Sequence, residues 1–115
     1  MKPEASISLF LRELKVFVEK NGFIFVEREA SRQFLADRNM TQDELKEVIL
    51  GLEVKDCFDG PEPDRDLRYQ YWTVAEFSPT HCGEKLYLKL SIKIDIERVK
   101  VLSVKLYTER GGESR

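Results

Sequence analysis

Leu86-Tyr87-Leu88-Lys89-Leu90-Ser91-Ile92-Lys93-Ile94-Asp95 is the stretch that decides the fold. Leu86, Leu88, Leu90, Ile92 and Ile94 alternate with Tyr87, Lys89, Ser91, Lys93 and Asp95. Successive side chains of a strand point to opposite faces, so this run reads as a strand with one face in a core and the other in water. A turn near Ile96-Glu97-Arg98 returns the chain into Lys100 to Tyr107. There Leu102, Val104 and Leu106 are expected on one face and Val101, Ser103, Lys105 and Tyr107 on the other, giving an antiparallel pair. Upstream, Tyr69 to Phe77 reads as another strand, ended by Ser78-Pro79 and a turn through Gly83. Gly60-Pro61-Glu62-Pro63-Asp64-Arg65-Asp66 is rich in residues that cannot continue a helix or a central strand, and it reads as a loop.

The N-terminal half has a different period. Ile7, Phe10, Leu11, Leu14, Phe17 and Val18 recur at helical spacing until Asn21-Gly22. Phe23 to Val26 is a brief β-branched and aromatic run, expected as a strand at a sheet edge. Ala30 to Arg38 predicts a short helix carrying Phe34 and Leu35. Thr41-Gln42-Asp43-Glu44 fits a capping box, in which threonine and glutamate side chains satisfy each other's backbone N–H groups. The helix it opens presents Leu45, Val48, Ile49 and Leu52 and ends near Gly51. The expectation is an α+β fold, N-terminal helices packed on a C-terminal antiparallel sheet. It forms one domain over residues 1–110, with 111–115 as a polar, disordered tail.

Composition narrows the function. A chain of 115 residues with 42% apolar and 35% charged residues fits one soluble domain with one core. No apolar run approaches the roughly 20 residues that cross a bilayer. Met1-Lys2-Pro3-Glu4 does not begin a signal peptide, so no membrane association and a cytoplasmic location are expected. Cys57 and Cys82 read as free thiols. His81 is the single histidine, and His81-Cys82 has no second ligand pair at zinc-finger spacing, so neither a metal nor another cofactor is expected.

Charge is polarised along the chain. Between Thr41 and Asp66 nine acids face three bases, a net of −6, whereas Lys85 to Tyr107 holds six bases and two acids, a net of +4. If the last two strands pair, Tyr87, Lys89, Ser91 and Lys93 share a wet face with Ser103, Lys105 and Tyr107. Rings stack on unpaired bases and lysines hold phosphates, the pattern of a single-stranded nucleic-acid surface. The plain alternative is a solubilising face, since lysine is common on exposed strands.

Val48-Ile49-Leu50-Gly51-Leu52, Asp56-Cys57-Phe58, Gly60 to Asp66, Tyr71-Trp72, Gly83 and Leu86 to Leu90, in that order and spacing, resemble the MqsR-like toxins of bacterial toxin-antitoxin systems. The similarity spans about Lys15 to Leu106. It implies a RelE-like fold and an endoribonuclease that cuts mRNA and is neutralised by a cognate antitoxin protein. The family's active-site tyrosine falls on Tyr87 and the nearby lysine on Lys89. Its lysine after the aspartate-aromatic pair falls on Asp59, and its glutamine after the strand tryptophan falls on Thr73. RNA cleavage at a 2′-hydroxyl needs a proton acceptor, cations for the phosphorane and a donor for the leaving oxygen. The catalytic candidates are Tyr87, Lys89 and Arg68, and the RNA-binding candidates are Arg65, Trp72, Lys85, Lys93, Lys105 and Tyr107. Two alternatives remain open: a non-catalytic RNA- or protein-binding module of the same fold, and an interaction protein that recruits a partner by strand addition. The oligomeric state is not specified by the sequence.

Overall fold

The computed structural model describes residues 4–108. In chain order these form α1 (Glu4–Asn21), β1 (Ile24–Phe25), α2 (Glu29–Arg38), α3 (Gln42–Leu50), β2 (Cys57–Pro63), β3 (Thr73–Phe77), β4 (Thr80–His81), β5 (Glu84–Lys93) and β6 (Arg98–Leu106). Single 3₁₀ turns sit at Val54–Asp56, Leu67–Tyr69 and Ile94–Ile96. The expected α+β class is what is seen: the helices cover one face of a sheet ordered β1-β6-β5-β3-β2, with β4 added against the start of β5. Among the described residues no helix is long and apolar enough to cross a membrane. The tail at 111–115 lies outside the described residues.

The core joins the two halves as the periodicity implies. Ile7, Phe10, Leu11, Leu14, Phe17 and Val18 of α1, with Leu45, Val48 and Ile49 of α3, pack on Phe77, Leu86, Leu88, Leu90, Ile92, Val99, Val101 and Val104. Burying a leucine, valine or phenylalanine side chain stabilises by roughly 1.5–3 kcal/mol, so this interface dominates folding.

Several sequence expectations change in the structure. The sheet is mixed, because β1 runs parallel to β6 while the other neighbours are antiparallel. The segment read as a loop from Gly60 is, up to Pro63, part of β2, an outermost strand with register shifts on either side of Asp59. Proline is tolerated there because an edge strand needs no donor on its outer side. Gly60 stands at φ +82, and a Cβ on it would meet Val74 O at 2.5 Å and Ala75 Cα at 2.8 Å, so only glycine lets β2 close on β3. The strand expected from Tyr69 begins only at Thr73, because Leu67–Tyr69 forms a turn. Ile94 leaves the core and is 56% exposed, since β5 ends at Lys93.

The phase of β6 also differs. Lys89 pairs with Ser103 but Leu90 with Val101, so Leu102 is an extra residue, a β-bulge. The bulge brings Val101 and Val104 both into the core and leaves Leu102 half-buried. Past the short β1, the Val104 N–H donates to the buried Ser31 Oγ of α2 at 3.1 Å, so a helix side chain rather than a strand occupies that edge.

Candidate nucleic-acid interface

The sheet face turned away from the helices is built by cross-strand register. Glu76 of β3 lies opposite Lys89, and Val74 opposite Ser91. Lys105 lies opposite Tyr87, Ser103 opposite Lys89, and Lys100 opposite Ser91. On the β2 side Asp59 pairs with Glu76 and Glu62 with Val74. The acidic and basic segments of the sequence therefore share one face, with Glu76 of β3 meeting Lys89 of β5 where acid gives way to base.

Two zones divide this face. At one end the chain after β2 folds back, closed by the Asp64 N–H donating to Trp72 O at 2.9 Å. The Lys100 ammonium then lies 4.5 Å from the Tyr69 ring centre and 4.3 Å from that of Trp72. Beneath this cover Ser91 is 1% exposed. The other end is open. Phe58 meets Tyr87 at 6.0 Å and Tyr107 at 5.7 Å between ring centres. Lys85 stands 4.5 Å over Tyr107, and Lys105 stands 5.1 Å over Tyr87. Cation–π contact of this kind holds a lysine beside a ring while leaving its other N–H groups to bind phosphate.

Between the zones is a hollow of about 130 Å³ lined by Asp59, Glu62, Pro63, Asp64, Arg65, Val74, Glu76 and Lys89. Tyr87 borders it on the same strand as Lys89. Burial, first, and then the nearby Glu76 and Asp59 carboxylates push the Tyr87 phenol well above its usual pKa, against a small opposing effect of Arg28. The phenol thus stays protonated and serves as a hydrogen-bond donor, not as a base.

The sequence candidates are distributed unevenly. Tyr87, Lys89, Lys85, Lys105 and Tyr107 come together at the open zone, and Arg65 reaches the hollow with its guanidinium 3.9 Å from Glu62. Arg68 is paired outside the hollow: its exposed guanidinium forms a 2.7 Å ion pair with Asp66, whose carboxyl is held down at about 2 by that contact and by the Arg68 backbone N–H. Lys93 is paired with Asp95 at 2.8 Å at the far end of β5. Six residues from Tyr87 along a strand is about 20 Å. Trp72 gives a ring face to Lys100. Asp59, where the resemblance would have a lysine, lines the hollow, whereas Thr73 lies opposite the buried Ile92.

Sequence reasoning missed Glu76, Phe58 and Lys100. Phe58 and Glu76 come from strands whose register no local pattern reports, and Lys100 was counted among the six bases of the positive segment but not placed against the Tyr69 and Trp72 rings. It also missed a partner for His81. Thr41 Oγ1 accepts from the Glu44 N–H at 3.1 Å, but the Glu44 carboxylate, instead of turning back on Thr41, reaches His81 Nε2 at 2.8 Å. No protein-family model, curated protein or solved structure matches this chain.

Proposed function

We propose that the protein is a toxin-type endoribonuclease that cuts single-stranded mRNA on the open sheet face, acts in the cytoplasm and is masked by a cognate antitoxin. The observation that carries this reading is the boundary itself, where Glu76, Tyr87 and Lys89 adjoin a ring-and-lysine surface of Phe58, Tyr107, Lys85 and Lys105. Bases stack on the exposed Phe58 and on Tyr107 while Lys85 and Lys105 hold the backbone.

Cleavage then follows from the groups at the boundary. Glu76 takes the proton of the 2′-hydroxyl as its oxygen bonds to phosphorus. Lys89, with Arg65 from the hollow rim, stabilises the charge of the phosphorane. Tyr87 donates its proton to the departing 5′-oxygen as that P–O bond breaks, and Glu76 returns a proton to it. The products are a 2′,3′-cyclic phosphate and a 5′-hydroxyl, with no net proton gained or lost.

A second reading, a non-catalytic RNA-binding module, is favoured by one specific feature: Asp59, Glu62, Asp64 and Glu76 outnumber Arg65 and Lys89 around the hollow. One experiment separates the two. Expression of the wild-type chain is induced, growth is followed, and cellular RNA is examined by primer extension for new 5′ ends. Growth arrest with recurrent cleavage that disappears in Tyr87→Phe/Lys89→Ala supports the nuclease. Intact RNA from a folded protein that still binds single-stranded RNA refutes it in favour of the module.

A further inference from the structure

We infer that Glu44, His81 and Cys82, none of which the nuclease reading uses, form a zinc-binding site. One carboxylate oxygen, one imidazole nitrogen and one sulfur, contributed by the first turn of α3 and by the hairpin turn, all lie within 4.8 Å of one another. In a tetrahedral zinc site with bonds of 2.0–2.3 Å the donor atoms stand roughly 3.4–3.7 Å apart, so ångström-scale adjustments suffice. The 2.8 Å contact between His81 Nε2 and Glu44 Oε2 must open slightly for the metal to enter.

The donors are presented by a fixed frame. Thr41 caps α3, its side chain accepting from the Glu44 N–H three residues on. On the other side of the turn Arg38, in the last turn of α2, holds Glu84 by two bonds of 2.9 and 3.1 Å. Cys82 and Gly83 have φ +52 and +80, the paired positive values of a two-residue hairpin turn. Asparagine, aspartate or glycine is the usual first residue of such a turn, and cysteine is more at home in a core. Here an exposed thiol stands at that position beside an imidazole and a carboxylate. A hollow of about 340 Å³, with Glu47 and Thr80 among its lining residues, borders the His81 side of the cluster.

The donor set determines the metal. Sulfur and imidazole with one carboxylate suit zinc, whereas calcium and magnesium take oxygen cages. Binding forms a zinc–sulfur bond and releases the thiol proton to water, with no change of oxidation state. The bound ion would tie α3 to the hairpin that leads into β5.

The test uses the full chain, kept reduced, and the metal alone. Cobalt is titrated in as a spectroscopic substitute and followed by the thiolate-to-cobalt charge-transfer band, then displaced by zinc. The expected result is one metal per chain, with the band lost and zinc affinity lowered at least tenfold in Cys82→Ser, and a smaller loss in Glu44→Gln. Cys82 is exposed on a turn, so the serine variant keeps its fold, which circular dichroism verifies. Absence of stoichiometric binding overturns the inference. So does a band that survives Cys82→Ser, since it would then arise from Cys57.

Discussion

Gly60→Ala tests how the open face is held, and its cost can be worked from two terms. The first is conformational. A residue with a Cβ at φ +82 loses about 1–2 kcal/mol, of which about 0.4–1 kcal/mol is returned because alanine leaves the unfolded chain less freedom. Gly83→Ala isolates that term, since Gly83 stands at φ +80 with nothing within 4 Å of the added methyl. The second term is specific to Gly60. The atoms in the way, Val74 O at 2.5 Å and Ala75 Cα at 2.8 Å, belong to backbone and cannot rotate aside. β2 must move off β3 by about an ångström, weakening two or so ladder bonds worth about 1 kcal/mol each. The expected loss is about 3 kcal/mol for Gly60→Ala against about 1 kcal/mol or less for Gly83→Ala. At roughly 4 °C per kcal/mol for a chain of this size, the midpoints should fall by about 12 °C and by at most about 4 °C. Thermal melts of both variants followed by circular dichroism measure the difference. Equal midpoints for the two variants would refute the argument that close approach of β2 and β3, more than turn conformation, fixes the glycine.

Other outcomes are equally definite. Ser31→Ala leaves the Val104 N–H without its acceptor in a buried setting and should lower stability by about 1–3 kcal/mol in a denaturant titration. Glu76→Gln should reduce RNA cleavage by about 10²-fold or more while leaving single-stranded RNA affinity unchanged or tighter, measured by single-turnover cleavage and by equilibrium binding. Asp66 should titrate near pH 2 by carbon NMR and rise only part of the way toward the ordinary carboxylate range in Arg68→Ala, because the backbone N–H of residue 68 still donates to its carboxylate. Because its folded pKa is depressed below 3.8, the stabilisation from that pair is present above that pH and is lost as pH falls toward 2. Tyr87 behaves in the opposite sense. Its raised pKa keeps the folded phenol neutral above pH 10, so stability should decline as alkali ionises the unfolded form, and ultraviolet titration should show one tyrosine that ionises late.

The helical half and β5 were legible because each buries one regular stripe, and Leu14 or Leu88 recurs in its period without interruption. The phase of β6 was not, because one extra residue at Leu102 reverses the inward set, and a bulge leaves no compositional mark. β2 was misread for a related reason: Gly60, Pro61 and Pro63 are breakers in a central strand but compatible with an outermost one, and sequence does not announce a strand's position in the sheet. At the site, Tyr87, Lys89, Lys105 and Tyr107 followed from alternation alone. Glu76 and Phe58 required knowledge of which strand lies beside β5. Glu44 was hidden by a sound local rule, since its spacing from Thr41 marked it as a cap while the fold turns its carboxylate toward His81.

The two borders of the sheet restrict how another protein could mask the open face. Pro61 and Pro63 remove amide donors from β2, and beyond the two residues of β1 the Ser31 hydroxyl already takes the Val104 N–H of β6. Neither border offers an uninterrupted ladder of backbone groups, so an inhibitor has little to gain by extending the sheet. Under the proposed reading, recognition would fall to side chains, above all the exposed Phe58 ring and the ammonium groups of Lys85 and Lys105. An acidic segment bearing an aromatic residue would match that surface in charge and shape, competing with RNA for the same rings and not for a strand position.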